Sequence, residues 1–395
     1  MKQVAIEIGR KVVVWARGGY NHLGILRSLA PFCPDIENIV SAPSTKEVVR
    51  YSRYCRNCHF FENHDNALQY LIDNYKDNTK RPILYFTSDE IAEIVDLNRE
   101  YLSKIFIISG TKQPGLLSSI QNKNKMAKIA SECGFNVPAS CSITRDKDLP
   151  SIPYPCFLRP ALNYNNSFRK AIRVNTSKEL LSIQNDLTEG DELVVSEYIP
   201  KEKDLLVIGV RFKDGNIYIP GCFIKDRWNN GESGTGSHGV ITPSIPPSVS
   251  IEAIRTFLYK IDYIGPFSFE FGILNHVAFF YEVNLRNDGT CDYFNQCGAN
   301  TVLAWVADCC DMDVSSITIP VLREGFMINE VEDYKNIGGR LTRSEWKKQR
   351  KEASVFVYYN KHDILPYLVM KWKQLNFKRQ PIRVFNKIKK ILKIK

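Results

Sequence analysis

Two short segments carry the side chains best suited to chemistry: Phe267-Ser268-Phe269-Glu270-Phe271 and Phe280-Tyr281-Glu282-Val283-Asn284-Leu285-Arg286. Both alternate with a period of two, the spacing of β-strands whose successive side chains face opposite sides. The alternation puts three Phe on one face of the first strand and Ser268 and Glu270 on the other. In the second, Tyr281, Val283 and Leu285 share one face, and Glu282, Asn284 and Arg286 the opposite one. The connection from Gly272 to His276 is short enough for an antiparallel hairpin, which brings Glu270 beside Glu282. Two carboxylates a few Å apart repel by several kcal/mol at an effective dielectric of about 20, so a cation or water must sit with them. Glu, Glu and the Asn carbonyl form a hard oxygen set that suits Mg²⁺ (or Mn²⁺), which takes its remaining ligands from phosphate and water. Arg286 is placed to neutralise charge on a phosphate or acyl phosphate.

Other candidate chemistries are weaker. Cys55-Arg56-Asn57-Cys58-His59 has the spacing of a c-type haem attachment or half a zinc site. Haem attachment requires export, and no second ligand pair completes a tetrahedral zinc site. Ala16-Arg17-Gly18-Gly19 follows an apolar run but lacks the G-x-G-x-x-G spacing of a dinucleotide site. Eleven scattered cysteines, an odd number, suit a reducing compartment. The N-terminal apolar run is broken by Glu7 and Arg10, unlike a signal peptide, and no stretch reaches the roughly 20 apolar residues of a membrane helix. A cytoplasmic protein is therefore expected. The net charge is +10, and residues 371–395 alone hold ten Lys or Arg with no Asp or Glu. A terminal excess of this kind argues against a nucleic-acid-binding face.

The elements that must position the acidic pair can be followed along the chain. Residues 1–112 alternate apolar strands (Lys11–Trp15, Arg81–Phe86, Tyr101–Ser109) with helical stretches such as His22–Ala30, the pattern of a parallel sheet covered by helices. Met126, Ile129, Ala130 and Cys133 recur at i, i+3, i+4 and i+7, giving one apolar helix face that ends at Gly134. Residues 113–310 are rich in short strands: Cys156–Pro160, Glu192–Ile199, and a hairpin over Leu205–Ile219 turning at Asp214-Gly215. The stretch Arg227–Gly239 holds four glycines, as a mobile loop or a close backbone approach to a ligand requires. Residues 311–370 form a mixed terminal unit. In residues 371–395, Phe385, Ile388 and Leu392 lie at helical spacing among basic residues, a pattern that fits peripheral membrane or partner contact and equally a helix packing its apolar stripe on the protein's own surface.

Glu282-Val283-Asn284-Leu285-Arg286 resembles the E-x-N-x-R strand of ATP-grasp enzymes, with Glu270 at the position of the family's first metal-binding carboxylate. The resemblance continues in order along residues 1–370, and is greatest to the D-aspartate ligase and carbamoyl-phosphate-synthase-like branch. It implies an α/β (α+β) protein: an ATP-grasp fold preceded by a Rossmann-like domain. It also implies phosphate contacts from Lys125 and Arg159, the latter where the family has a lysine. Ser167 and Lys170 fall in the lid segment, which here lacks glycine. Ser196, Glu197 and Ile199 fall at the adenine hinge and Asp204 at the ribose. Glu270, Glu282 and Asn284 correspond to the metal ligands, and Lys225, Arg227 and Arg286 to groups that hold the acceptor or the acyl phosphate. The implied activity is ADP-forming ligation of a small-molecule carboxylate to an amine through an acyl phosphate, with an amino acid joined to a cell-envelope or polysaccharide precursor as one form of it. Nucleotide binding without ligase activity and a carbamoyl-phosphate-synthase-like reaction stay open, as does a homodimer.

Overall fold

The computed structural model describes residues 6–145, 148–162, 171–230, 233–339 and 341–376. Strands β1 (Val12–Ala16), β2 (Ile36–Ser41), β3 (Asn57–Phe61), β4 (Ile83–Phe86) and β5 (Ile107–Ile108) form a parallel sheet in the order β3-β2-β1-β4-β5. β1 is buried throughout because helices cover both faces, which explains its unbroken apolar run. Helix Tyr20–Leu29 follows β1, and helix Asp89–Leu97 follows β4 after a Ser88 N-cap. A two-residue strand, β6 (Gly110–Thr111), leads out of this unit.

A second, four-stranded sheet holds β7 (Ser140–Ile143), β8 (Cys156–Pro160), β9 (Ile172–Val174) and β10 (Leu193–Glu197) in the order β7-β10-β8-β9. Helix Lys123–Glu132 precedes it. The Asn122 side chain caps this helix by accepting from the amides of Asn124 and Lys125, and Gly134 ends it at φ +91°.

The third sheet is the largest. It comprises β11 (Lys203–Arg211), β12 (Ile217–Tyr218), β13 (Cys222–Asn230), β14 (Ser233–Thr242), β15 (Tyr263–Leu274), β16 (Val277–Asn284), β17 (Gly325–Ile328) and β18 (Val355–Phe356). Its main path runs β16-β15-β11-β13-β14-β17-β18, and β6 attaches to β15. The β15–β16 hairpin turns at Asn275 and His276, both at positive φ, the signature of a tight type I′ connection. On its inner face Phe267, Phe269 and Phe271 are essentially fully buried and pack with Phe280, Phe257 and Phe135.

The last third of the chain is stitched back onto the first. The Glu330 carboxylate, fully buried, accepts from the amides of Val357 (3.1 Å), Tyr358 (2.9 Å) and Tyr359 (2.5 Å). Arg27 pairs with Asp363 at 3.2 Å, and Asp363 also accepts from Ser52 Oγ and the Arg53 amide. Helix Leu365–Asn376 reaches the loop after β2, where Lys373 Nζ donates to the carbonyls of Thr45 and Glu47. Among the described residues, no helix is long and apolar enough to cross a membrane.

Candidate active site

The three sheets converge on one cleft of about 1100 Å³. Its floor is the outer face of β15 and β16, where Glu270 and Glu282 are direct cross-strand partners, as the strand alternation predicts. Lys225, on β13, donates to Glu270 Oε2 at 2.6 Å and lies 3.6 Å from Asp204. Its side chain is 4% exposed. Burial alone depresses a lysine; Glu270 and Asp204 more than offset it and hold Lys225 as an ammonium ion. Burial, reinforced by Glu282 and Asp204, pushes the Glu270 carboxyl up to about 7 against the pull of Lys225. Glu282 has Arg159 at 4.0 Å, and burial lowers the Arg159 guanidinium from its ordinary range. Two facing carboxylates, open to the cleft with side chains 23% and 28% exposed, fit a divalent cation. Glu270 and Glu282 would hold it. Asn284 Oδ1 faces the same cleft but already accepts from Arg286 Nη2 at 3.0 Å.

The opposite wall belongs to the small sheet and the segment after it. Phe157, Arg159, Ser196, Glu197, Tyr198, Ile199, Lys201 and Asp204 all line it. Asp204 Oδ2 accepts from Lys201 Nζ (2.6 Å) and Trp228 Nε1 (2.9 Å). Burial pushes its acidity one way and the two lysines, Lys225 first, push it further the other, so it stays a carboxylate below the ordinary range. Its Oδ1 is buried, makes no hydrogen bond among the described residues, and has the Lys225 ammonium 3.6 Å away as its ion-pair partner.

The remaining wall is contributed by the parallel-sheet unit. Arg17, Tyr20, Asn21, Ser44, Lys46, Thr87 and Ser88 face the cleft from the loops after β1, β2 and β4. Arg286 ties this unit to the floor, since its Nε donates to Asp89 at 2.7 Å.

Most of the expected site residues meet in this cleft: Arg159, Ser196, Glu197, Ile199, Asp204, Lys225, Glu270, Glu282, Asn284 and Arg286. Ser167 and Lys170 lie outside the described residues. Two do not reach it. Lys125 is exposed and donates to Ser119 Oγ, while Lys123, one turn ahead of Met126 on the buried face, is the lysine that enters the cleft. Arg227 is turned away. It forms a two-pronged pair with the fully buried Asp333 at 3.0 and 2.9 Å, a structural rather than an acceptor contact. The cause is a run of three register shifts in the β13–β14 pairing, between Lys225 and Arg227, Arg227 and Trp228, and Trp228 and Asn230, which break the period-two alternation. Trp228 therefore faces the cleft in place of Arg227. A second bulge, opposite Glu270–Phe271, does the same to Tyr281: Phe280 takes its expected place in the core, and Tyr281 lines the cleft with Lys201 Nζ 5.6 Å from its ring. Asp288 is also in the wall. It continues the 282-284-286 spacing by one more step, a signal present in the sequence.

Comparisons with known proteins give the same architecture. N5-carboxyaminoimidazole synthetase from Staphylococcus aureus, complexed with ADP, superposes with a TM-score of 0.64 at 16% identity, covering 88% of each chain. N5-carboxyaminoimidazole synthase from Aspergillus clavatus, in complex with ADP and 5-aminoimidazole ribonucleotide, gives 0.63 at 15% identity over 87% of this chain and 86% of that one. L-amino acid ligase from Bacillus licheniformis gives 0.62 at 13% identity over 80% and 79%. No family model matches the sequence, and no curated protein matches it significantly. The likeness establishes the fold: this chain is built on the ATP-grasp architecture, preceded by a Rossmann-like unit, as the resemblance of its ordered motifs implies.

Proposed function

We propose that the protein is an ATP- and Mg²⁺-dependent carboxylate–amine ligase that works through an acyl phosphate. The observation that carries this is the facing pair Glu270 and Glu282 in one cleft with Lys123, Arg159, Lys225 and Arg286. Four cations around two partly open carboxylates make a site for phosphate oxygens and their metal. Similar structures include ligases solved with ADP and an amino acid ligase, which supports the same assignment. When bound, Mg²⁺ (or Mn²⁺) supplies neutralising charge to the phosphates. The segment Ser196–Ile199 takes the adenine and the Asp204 carboxylate accepts from the ribose. Lys123 and Arg159 orient the triphosphate, with Ser167 and Lys170 as further donors. Arg286 stabilises charge on the acyl phosphate as the amine attacks.

The test is ADP release by the full chain in a screen of amino acids as carboxylate and amine donors. Glu282→Gln should abolish turnover with the circular dichroism spectrum unchanged, and undiminished turnover in that variant refutes the metal site. ATP binding with no substrate-dependent ADP release by the unaltered protein would favour a nucleotide-binding role without ligation. Of the basic stretch 371–395, Lys371 and Lys373 are engaged on the protein itself, and a cytoplasmic enzyme with the chain beyond Asn376 resting on anionic lipid fits the eight basic and no acidic residues of 377–395. Vesicle co-sedimentation of the full chain against a chain ending at Gln380 checks this, and equal, salt-insensitive partitioning refutes it.

A further inference from the structure

The parallel sheet reverses its strand order between β1 and β4, since β2 and β3 lie on one side of β1 and β4 and β5 on the other. Ligands of open α/β sheets bind in the crevice beyond the carboxyl ends of the strands at such a reversal. Here that crevice is the end of the cleft walled by Arg17, Tyr20, Asn21, Ser44, Lys46, Thr87 and Ser88, with Arg286 at its boundary. None of these side chains is acidic.

The ion pairs at this end are one-sided. Arg17 Nη1 pairs with Glu90 at 2.8 Å, Lys46 with Glu332 at 2.6 Å and Arg286 with Asp89 at 2.7 Å. The three cations are cleft-lining; Glu90, Glu332 and Asp89 are not. Arg286 is tied down further, its Nη1 donating to the Asn287 carbonyl and its Nη2 to Asn284 Oδ1, whereas Arg17 and Lys46 keep surface toward the cleft. Arg17 donates Nε to the Ala42 carbonyl, and its Nη2 has no partner among the described residues. The side chains of Arg17 and Lys46 remain 40% and 47% exposed. Asp288 also lines the cleft, and both of its oxygens already accept, from Thr290 and from Ser268 Oγ.

The two loops are also fixed in advance. The Val48 and Val49 amides donate to the Gly18 carbonyl, the Ser44 amide to Arg17, and Lys373 to Thr45 and Glu47. Behind Arg17, Glu90 lies 3.8 Å from His64, whose Nδ1 is 2.7 Å from Ser41 Oγ. A cation held in place before a ligand arrives loses little side-chain freedom on binding.

We infer that this end of the cleft binds the anionic group, a phosphate monoester or a carboxylate, of the substrate that is not the nucleotide, with Arg17 and Lys46 as its specificity-determining residues. This rests on the ligase assignment, which places the nucleotide at the Ser196–Asp204 end. The experiment uses the full chain saturated with a non-hydrolysable ATP analogue, so that all three of the nucleotide's own phosphate positions are filled, and measures ADP affinity separately. Inorganic phosphate and succinate are titrated separately by calorimetry into the unaltered protein and into the Arg17→Ala/Lys46→Ala double variant. Affinity for the preferred anion should fall at least about tenfold in the double variant, while ADP affinity stays within about threefold. Arg17→Lys/Lys46→Arg should restore most of the anion affinity, which a merely misfolded loop would not allow. Preference for phosphate identifies a phosphorylated substrate, and preference for succinate a carboxylate. Absence of anion binding by the unaltered protein, equal affinity in the double variant, or an equal fall in ADP affinity would overturn the inference. Failure of the unaltered protein to bind ADP is a separate result, and it counts against the ligase assignment on which the inference rests.

Discussion

Replacing Arg227 with alanine separates a structural role from a catalytic one. The Arg227–Asp333 pair makes two charge-assisted hydrogen bonds of 3.0 and 2.9 Å, with side chains 10% and 0% exposed. Exposed ion pairs contribute at most about 1 kcal/mol, but removing one partner of a buried pair costs about 3–5 kcal/mol because the other charge stays desolvated. Arg227→Ala leaves Asp333 with Ser237 Oγ at 2.8 Å and Asn336 Nδ2 at 3.3 Å. These neutral donors do not compensate a full charge, so a loss of about 3 kcal/mol or more is expected. Urea denaturation followed by tryptophan fluorescence reports it as a lower midpoint. In the double variant Arg227→Met/Asp333→Leu the loss should shrink, because no unpaired charge remains. A variant with unaltered stability and lost turnover would refute this reasoning and return Arg227 to the acceptor site.

Lys123→Ala should weaken ATP binding or turnover at least about tenfold and Lys125→Ala by less than about twofold, as steady-state kinetics will show; equal effects would contradict the placement of Lys123. Glu330→Ala exposes three buried amides to no acceptor and should cost about 3 kcal/mol or more, seen as a lowered unfolding midpoint. Asp204→Ala should weaken ATP more than it weakens inorganic triphosphate in competition assays, since only the nucleotide brings a ribose hydroxyl to this carboxylate.

The acidic hairpin was legible because its alternation holds on both strands through Glu270 and Glu282, and burial of three Phe enforces the register. The same rule failed at Tyr281, where a bulge inserts one residue and turns the side chain over, and the acceptor role that the resemblance implied for Arg227 failed where irregular strand pairing turns it away from the cleft. Nothing in the local composition marks either irregularity. Lys123 was within reach: stepping back three residues from Met126 on the apolar face leads to it. The Asn122 cap fixes that helical phase. The walls made by Arg17 and Lys46 depend on partners 73 and 286 residues away, Glu90 and Glu332, a separation no local pattern spans.

The stitching of the last strands and helix to the first loops bears on how the protein is made. Strands β1–β5 are all translated before residue 110, yet Arg27 waits for Asp363, Lys46 for Glu332 and Thr45 for Lys373. A nascent chain shortened before residue 330 can pair its parallel strands but lacks the counter-charge behind Lys46. The rim of the cleft is therefore finished last, and ribosome-bound intermediates hold Arg27 without its carboxylate. Such long-range closure also raises the contact order, which slows the final folding step. Translational pausing near the end of the message would lengthen the time this rim spends open, and a protease present at that stage would find its target in the loop after β2.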